Sequence, residues 1–341
     1  MKAAVIRQFG TPDVFSIENV EKPRPGPDDV LIKVLAIGLN RIDHFVRQGW
    51  INPELAFPHI LGSDISGVIE SIGENVVGFK EGDRVIPLPG YPTNPDVAVS
   101  EPLSATPGYA IRGVVEQGAY AEYMVVPARW VLHDDTGLTP EEVATLPMKL
   151  VTCVQAVKGM GQVKKDDYVL IHAGASGTGS VSIQVAKALG ARVATTLRTR
   201  SKGDDVSKLG ADLIIDSGTH DFVEEVKKWS EGQGANVVVD NLGGEFFSRS
   251  IDALRPLGTL VSMGMVTGNE AKIQLVPFFF SQKQIKGSVM GGMEDMRWGL
   301  EKVKSGKIKP VIDRIFKLEE ISQAHERLAA GDALGTIIVK P

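Results

Sequence analysis

The sequence predicts an α/β protein in which a β-rich domain is joined to a doubly wound parallel sheet. Three observations carry that expectation. Residues 168–196 run from an apolar strand through a glycine-rich turn into a helix and on to a second strand, a βαβ unit. From Thr139 to about residue 288, helices and short apolar strands alternate, the rhythm of a parallel sheet covered on both faces. The 341 residues also exceed what a single ordinary core organises, so two domains are expected.

Taken in order, the first ~125 residues are rich in glycine, proline and β-formers. Strands are expected at Lys2 to Arg7, Val30 to Ile37, Ser66 to Ile72, Arg84 to Pro87 and Ala119 to Val126. Turns such as Pro25-Gly-Pro-Asp and Glu81-Gly-Asp separate them, which suits an irregular barrel or sandwich. A helix is expected from Thr139, with Glu141 and Glu142 in its first turn. Six parallel strands follow, at Tyr168 to His172, Ala191 to Thr196, Leu213 to Ile215, Asn236 to Val239, Gly258 to Met263 and Ile285 to Val289. The chain closes with a helix at Met293 to Ser305, a strand near Pro310 to Phe316, a helix at Leu318 to Ala329 and a strand at Gly335 to Lys340. This reading assigns residues 1–132 and 289–341 to the β-rich domain and 133–288 to the dinucleotide-binding domain.

The run from Tyr168 to Ser180 contains the first chemical signal. Gly174, Gly177 and Gly179 let the backbone turn tightly and approach a pyrophosphate, whose charge meets the N–H groups opening the next helix. Ser176 occupies the middle glycine position of the G-x-G-x-x-G fingerprint, and Thr178 completes the turn. At the end of the second strand, where an acid binds the ribose of NAD, stand Arg198, Thr199, Arg200, Ser201 and Lys202; no carboxylate appears before Asp204. Cations and hydroxyls suit a 2′-phosphate, so NADPH is the expected cofactor. The competing reading is a solvated loop in which Asp204 or Asp205 caps the next helix. Ligands of open α/β sheets lie beyond the carboxyl ends of strands, which nominates Asn241 and Gly264 as further cofactor contacts.

Composition narrows the function classes. A formal net charge of −5 argues against a nucleic-acid surface. No apolar run approaches the ~20 residues of a membrane span, and residues 1–9 lack a signal-peptide core, so a cytoplasmic protein is expected. The single Cys153 excludes an internal disulfide framework and a multi-cysteine metal cluster.

Five stretches in a fixed order resemble the medium-chain dehydrogenase/reductase superfamily: Gly38-Leu-Asn-Arg-Ile-Asp43, Pro58-His-Ile-Leu-Gly-Ser-Asp-Ile-Ser-Gly-Val68, Gly82-Asp-Arg-Val85, Gly118-Ala-Tyr-Ala-Glu-Tyr123 and Leu209-Gly-Ala-Asp212. The resemblance implies a GroES-like substrate domain, a Rossmann cofactor domain, a nicotinamide dinucleotide, a small-molecule substrate in the cleft between domains, and a homodimer or homotetramer. At the positions that carry catalytic zinc ligands in the zinc alcohol dehydrogenases of this superfamily, the chain has Asn40, Ser63 and Met148. None is a good zinc ligand. Cys153 lies about one turn beyond the last of these positions and reads as a small buried packing residue. Residues 91–117 replace the four-cysteine lobe of structural zinc without a cysteine. No metal is therefore expected.

The remaining branch is the zinc-free one. Asn40, Gly62-Ser-Asp64 and His172-Ala-Gly-Ala-Ser-Gly177 are similar to quinone oxidoreductases of the ζ-crystallin type, while Val46-Arg-Gln-Gly49 and Lys309-Pro-Val-Ile-Asp-Arg314 resemble bacterial zinc-type alcohol dehydrogenases. The resemblance puts Asn40 and Asp43 at the cleft floor, Asn40 as a substrate or ribose contact and Asp43 as a second site group or a carboxylate that fixes the loop; it puts Thr152 at the nicotinamide. Trp50, where enoyl reductases of this fold carry a catalytic tyrosine, has no acidic proton, which leaves solvent, His44 or Tyr91 as proton donors. His172 and the Phe278-Phe-Phe280 triplet read as packing, and Met290 with that triplet as an apolar interface or wall. The expected function is NADPH-dependent reduction of a quinone or α,β-unsaturated carbonyl. The alternatives are an alcohol/aldehyde dehydrogenase-like or acyl-CoA reductase, and a non-catalytic NADPH-binding protein.

Overall fold

A computed structural model describes residues 1–341 except Thr199. The chain forms two compact units, Met1–Met148 with Pro310–Pro341, and Lys149–Lys309. Residues 133–148 thus group with the β-rich unit and 289–309 with the parallel sheet, whereas the sequence reading put each on the other side.

The first unit begins with β1 (Lys2–Ile6), β2 (Phe15–Asn19) and β3 (Asp29–Gly38), followed by helix α1 (Arg41–Arg47), β4 (His59–Ile60) and β5 (Asp64–Ile72). Next come β6 (Arg84–Pro87), β7 (Gly90–Pro92), β8 (Tyr109–Ile111), β9 (Tyr123–Pro127) and β10 (Val131–His133). Strand β3 is the hub, antiparallel to both β5 and β9, and its Val30, Ile32, Ala36 and Ile37 are fully buried. The strand expected from Ala119 starts only at Tyr123. The preceding N–H groups of Gly118, Ala119 and Tyr120 instead pair with the carbonyls of Ile60, Gly62 and Leu61, which locks two of the motif stretches together. Residues 91–117 form the β7–β8 hairpin and its connection, with Tyr91 stacked on Trp130 at a centroid distance of 5.8 Å.

Helix α2 (Pro140–Ala144) starts where expected, because Thr139 and Glu142 cap it reciprocally and Pro140 occupies the first turn. Helix α3 (Pro147–Val154) leads into a π-helical turn at Gln155–Met160. The second unit alternates β11 (Tyr168–Ile171), α4 (Gly177–Ala188), β12 (Arg192–Leu197), α5 (Gly203–Lys208), β13 (Leu213–Asp216), α6 (Phe222–Trp229), β14 (Ala235–Asp240), α7 (Gly244–Ala253), β15 (Leu254–Ser262), α8 (Leu275–Phe280), β16 (Gln284–Gly287) and α9 (Met293–Lys304). All six strands are parallel, in the order β13-β12-β11-β14-β15-β16. The order reverses between β11 and β14, a switch point that opens a crevice at the carboxyl ends. Leu170, Val238 and Leu260 of the sheet pack with Ile215, Phe222, Val226 and Ile251 into the core. Of the Phe278–Phe280 triplet only Phe278 joins it; Phe279 and Phe280 are exposed, so core packing accounts for one ring of three.

The chain returns to the first unit with β17 (Ile312–Lys317), α10 (Ile321–Ala330) and β18 (Thr336–Lys340), and β18 pairs with the end of β3. Among the described residues no helix is long and apolar enough to cross a membrane.

Candidate active site

In the first unit the site residues gather at the end of β3. Asn40 adopts an extended backbone and caps α1, and the Asp43 carboxylate reaches back to the Asn40 N–H (Oδ2, 2.9 Å). Asn40 Nδ2 donates to Asp64 Oδ2 (3.0 Å), and the Met148 N–H, in the first turn of α3, donates to Asp64 Oδ1 (2.8 Å). Asp64 is fully buried, so its two charge-assisted bonds join Asn40 and the start of α3 firmly. Ser63 turns away and donates to the Arg112 carbonyl (2.7 Å), which ties it to the 91–117 segment. Of the three zinc-ligand positions, two converge on a carboxylate and the third is engaged elsewhere. Amide, hydroxyl and thioether are poor zinc donors, and the site does not fit that metal. Among the described residues no group of three or more His, Cys, Asp or Glu side chains forms a metal centre.

A further hydrogen-bonded layer lies behind Asp43. Tyr120 Oη donates to Asp43 Oδ2 (2.8 Å) and lies 3.1 Å from His325 Nε2; Arg47 Nε donates to His325 Nδ1 (3.3 Å) and Arg47 Nη2 to His44 Nδ1 (3.1 Å). Gly62 permits this packing. Its φ is +95°, and a Cβ there would sit 2.3 Å from the Tyr120 ring. Burial, then the Asp43 charge, push the Tyr120 hydroxyl well above its ordinary value, so it stays a donor. Burial, then Arg47 and Arg41, lower His44 to about 4, so its imidazole is neutral at pH 7 and a poor proton donor. Tyr91 is no better suited to giving a proton, being 2% exposed, with a hydroxyl that has no partner among the described residues and that burial raises to about 12. Trp50 is exposed and stacks on Phe45.

In the second unit the glycine turn and the strand ends form a cradle. Ser176 caps α4, accepting the Gly179 N–H at 3.0 Å and donating to the Ala173 carbonyl at 2.8 Å. The Gly177 and Thr178 N–H groups, which a helix cannot pair internally, stand at its mouth. Gly179 must be bare, since a Cβ would come within 2.1 Å of the Ala173 carbonyl. Asn241 Nδ2 donates to Thr178 Oγ1 (3.3 Å), which brings the end of β14 onto the turn. Gly264 follows β15, held near by the Met263 N–H on the Asp240 carbonyl (2.9 Å). Three buried polar atoms at these strand ends, Asp240 Oδ2, Asn241 Oδ1 and Ser288 Oγ, have no partner among the described residues. Unsatisfied buried acceptors near open helix N–H groups fit a dinucleotide's ribose hydroxyls and phosphates.

Thr152 Oγ1 rests on Met290 Sδ at 3.6 Å, a weak acceptor that a better one can replace, and Met290 itself holds a left-handed backbone (φ 51°). Cys153 is fully buried, donates to the Thr178 carbonyl (3.2 Å), and is raised to about 12 by burial, so it packs α3 against the turn. His172 is equally internal, bonded to Thr196 Oγ1 (3.0 Å) and Ser250 Oγ (2.7 Å). Arg198 and Arg200 are exposed, and Arg200 begins the 3-10 turn that ends at Lys202. Thr199 lies outside the described residues. Arg200 also lines an open groove along β13 with Asp212, Asp216, His220 and Glu225. Asp205 pairs with Lys208 (2.9 Å) and does not cap α5. The sequence reading missed Asp64 as the joining carboxylate, the Arg47–His325–Tyr120 layer, and the buried Lys149 one residue after Met148.

A glycine turn at the switch point of a parallel sheet, in a chain whose β-rich unit holds a buried polar cluster, defines a dinucleotide-dependent oxidoreductase. Residues 26–136 match the family described as alcohol dehydrogenase GroES-like domain and residues 177–305 that described as zinc-binding dehydrogenase. A 2-haloacrylate reductase of Burkholderia sp is 30% identical, covering 99% of this chain and 98% of its own. A quinone oxidoreductase of Pseudomonas aeruginosa is 29% identical, with 98% and 97% covered. The crystal structure of an NAD-dependent alcohol dehydrogenase aligns at a TM-score of 0.95 with 33% identity, covering both chains fully. The chain belongs to the medium-chain dehydrogenase/reductase superfamily, whose oxidoreductases use nicotinamide cofactors.

Proposed function

We propose that the protein is a zinc-independent, NADPH-dependent oxidoreductase that reduces a quinone or an α,β-unsaturated carbonyl. The observation that carries this reading is the chemistry of the three zinc-ligand positions: the Asn40 amide is bonded to Asp64, the Ser63 hydroxyl to the Arg112 carbonyl, and Met148 offers only a thioether. When bound, the dinucleotide supplies the hydride. Gly174, Ser176, Gly177, Thr178 and Gly179 hold its pyrophosphate; Asn241 and Gly264 take its ribose and carboxamide end, where Thr152 exchanges Met290 for a stronger acceptor. Arg198, Thr199, Arg200 and Lys202 take the 2′-phosphate. On the substrate side, Asn40 offers an amide donor to the carbonyl oxygen, which gains negative charge during reduction of a conjugated acceptor. Asp43 fixes the Asn40 loop. Solvent supplies the proton, since the His44 ring is neutral at pH 7 and burial holds on to the Tyr91 hydroxyl proton.

An alcohol dehydrogenase-like reaction is the second reading, favoured by the structural likeness to an NAD-dependent alcohol dehydrogenase. The deciding experiment follows NADPH and NADH oxidation over a panel of quinones, enones, aldehydes and acyl-CoA thioesters, with metal analysis of the protein. Quinone or enone turnover with NADPH, unaffected by chelator, is expected. Roughly one tightly held zinc per chain, or turnover confined to aldehydes, overturns the reading; tight NADPH binding with no turnover indicates a non-catalytic protein. Replacing Arg198 and Arg200 by alanine weakens NADPH far more than NADH if they hold the phosphate. The protein also pairs with a second copy through the open edge of β16 and the exposed rings of α8, and works in the cytoplasm.

A further inference from the structure

We infer that Tyr120 and His325 are positioning residues for the Asn40–Asp43 loop, so that helix α10, near the end of the chain, sets the geometry of the substrate floor. The inference rests on the reading of Asn40 as the substrate contact. A guanidinium has only donors, so Arg47 Nε, 3.3 Å away, makes His325 Nδ1 an acceptor and leaves the imidazole proton on Nε2. That N–H then points at Tyr120 Oη (3.1 Å), whose own proton goes to Asp43 Oδ2 (2.8 Å). Asp43 Oδ2 also takes the Asn40 N–H. Every donor in the series runs one way, from Arg47 to the carboxylate that holds the residue proposed to face the substrate.

The direction decides what the series can do. It begins on a guanidinium that does not release its proton, so it cannot relay protons to the site; it can only orient. The surroundings fix it in place. Arg47, Tyr120 and His325 are all at most 1% exposed, and the Phe15 ring packs on His325 at 4.6 Å. Arg47 also donates to the Gly10 carbonyl, and Ser322, in the first turn of α10, donates to the Pro12 carbonyl at 2.8 Å. Groups from the β1–β2 segment, α1 and α10 thus hold one tautomer and one hydroxyl orientation.

Two measurements test this. Nitrogen-15 NMR of histidine-labelled protein, with His325 assigned by loss of its signal in His325→Gln, is expected to show a neutral ring protonated on Nε2. In kinetics, Tyr120→Phe keeps the ring but removes the donor on Asp43, and kcat/KM for the best quinone or enone should fall by about tenfold, the scale of one lost hydrogen bond to a charged group. NADPH affinity should not change. His325→Gln, which can still accept from Arg47 and donate to Tyr120, should lose less than His325→Leu. A proton on Nδ1, or an unchanged kcat/KM in Tyr120→Phe, overturns the inference. If the variant does not fold, the tautomer of the native protein decides. If the native protein reduces nothing in the panel, the functional reading fails, while the tautomer still judges the network.

Discussion

At the residue scale the clearest dependence is that of Tyr120 on Gly62. Alanine at position 62 would hold a left-handed backbone, at a cost of about 1–2 kcal/mol, and push on a buried ring, adding about 1–3 kcal/mol. Gly62→Ala is therefore expected to lower stability by roughly 2–5 kcal/mol, read as a shift in the urea midpoint. Asn40 and Asp43 could be nominated because the Gly38–Asp43 stretch resembles a motif of the superfamily; that they form a capping box is visible only in the structure. Arg47 and His325 could not be nominated, because 278 residues separate them and only the fold makes them neighbours. Asp64 was visible as a letter of its motif, but nothing in the sequence shows that it would join residue 40 to residue 148.

At the scale of elements, the parallel strands were the most legible, since buried strands in such sheets are continuous apolar runs. The starts of β11 and β13 fall where expected and the other ends shifted by one to four residues, most at β15, which starts at Leu254 instead of Gly258. The short strands β2, β4, β7, β8 and β10 carried too little pattern to be read. Helix α8 departs further: Leu275, Val276, Phe279 and Phe280 are 56–76% exposed, close in the chain to β16, which pairs on one side only. Exposed apolar surface beside a strand edge favours association, and this patch is the one through which pairing with a second copy is proposed. Phe280→Glu is expected to reduce the mass measured by light scattering from that of an oligomer to that of one chain. An unchanged mass would place the contact elsewhere.

For the whole molecule the buried histidines weaken the fold in acid. Burial lowers His44, His59, His172 and His325, with His172 reaching about 3 and His325 held well below its ordinary value. Each is neutral when folded at pH 7 and titrates near 6.5 when unfolded. Their contribution is therefore present above about pH 6.5 and is lost as the pH falls from there towards the folded values, because the unfolded chain takes up protons that the folded one refuses. For the fully buried pair His172 and His325 the loss is about 2 kcal/mol between roughly pH 6.5 and 5.5. Urea midpoints should be level from about pH 7 to 8 and fall steadily below about 6.5; a midpoint that holds to about pH 5 would contradict the buried neutral rings.

The bond from residue 148 to Asp64 comes from the main chain, while the bond from residue 40 comes from a side chain. Selection can therefore act on the two positions independently. Among descendants of this sequence, residue 148 could drift through many side chains without loosening the start of α3, whereas residues 40 and 64 would have to change together. A ligand grafted at 148 would leave this anchor intact; one grafted at 40 would have to replace the Asn40 amide's bond to Asp64.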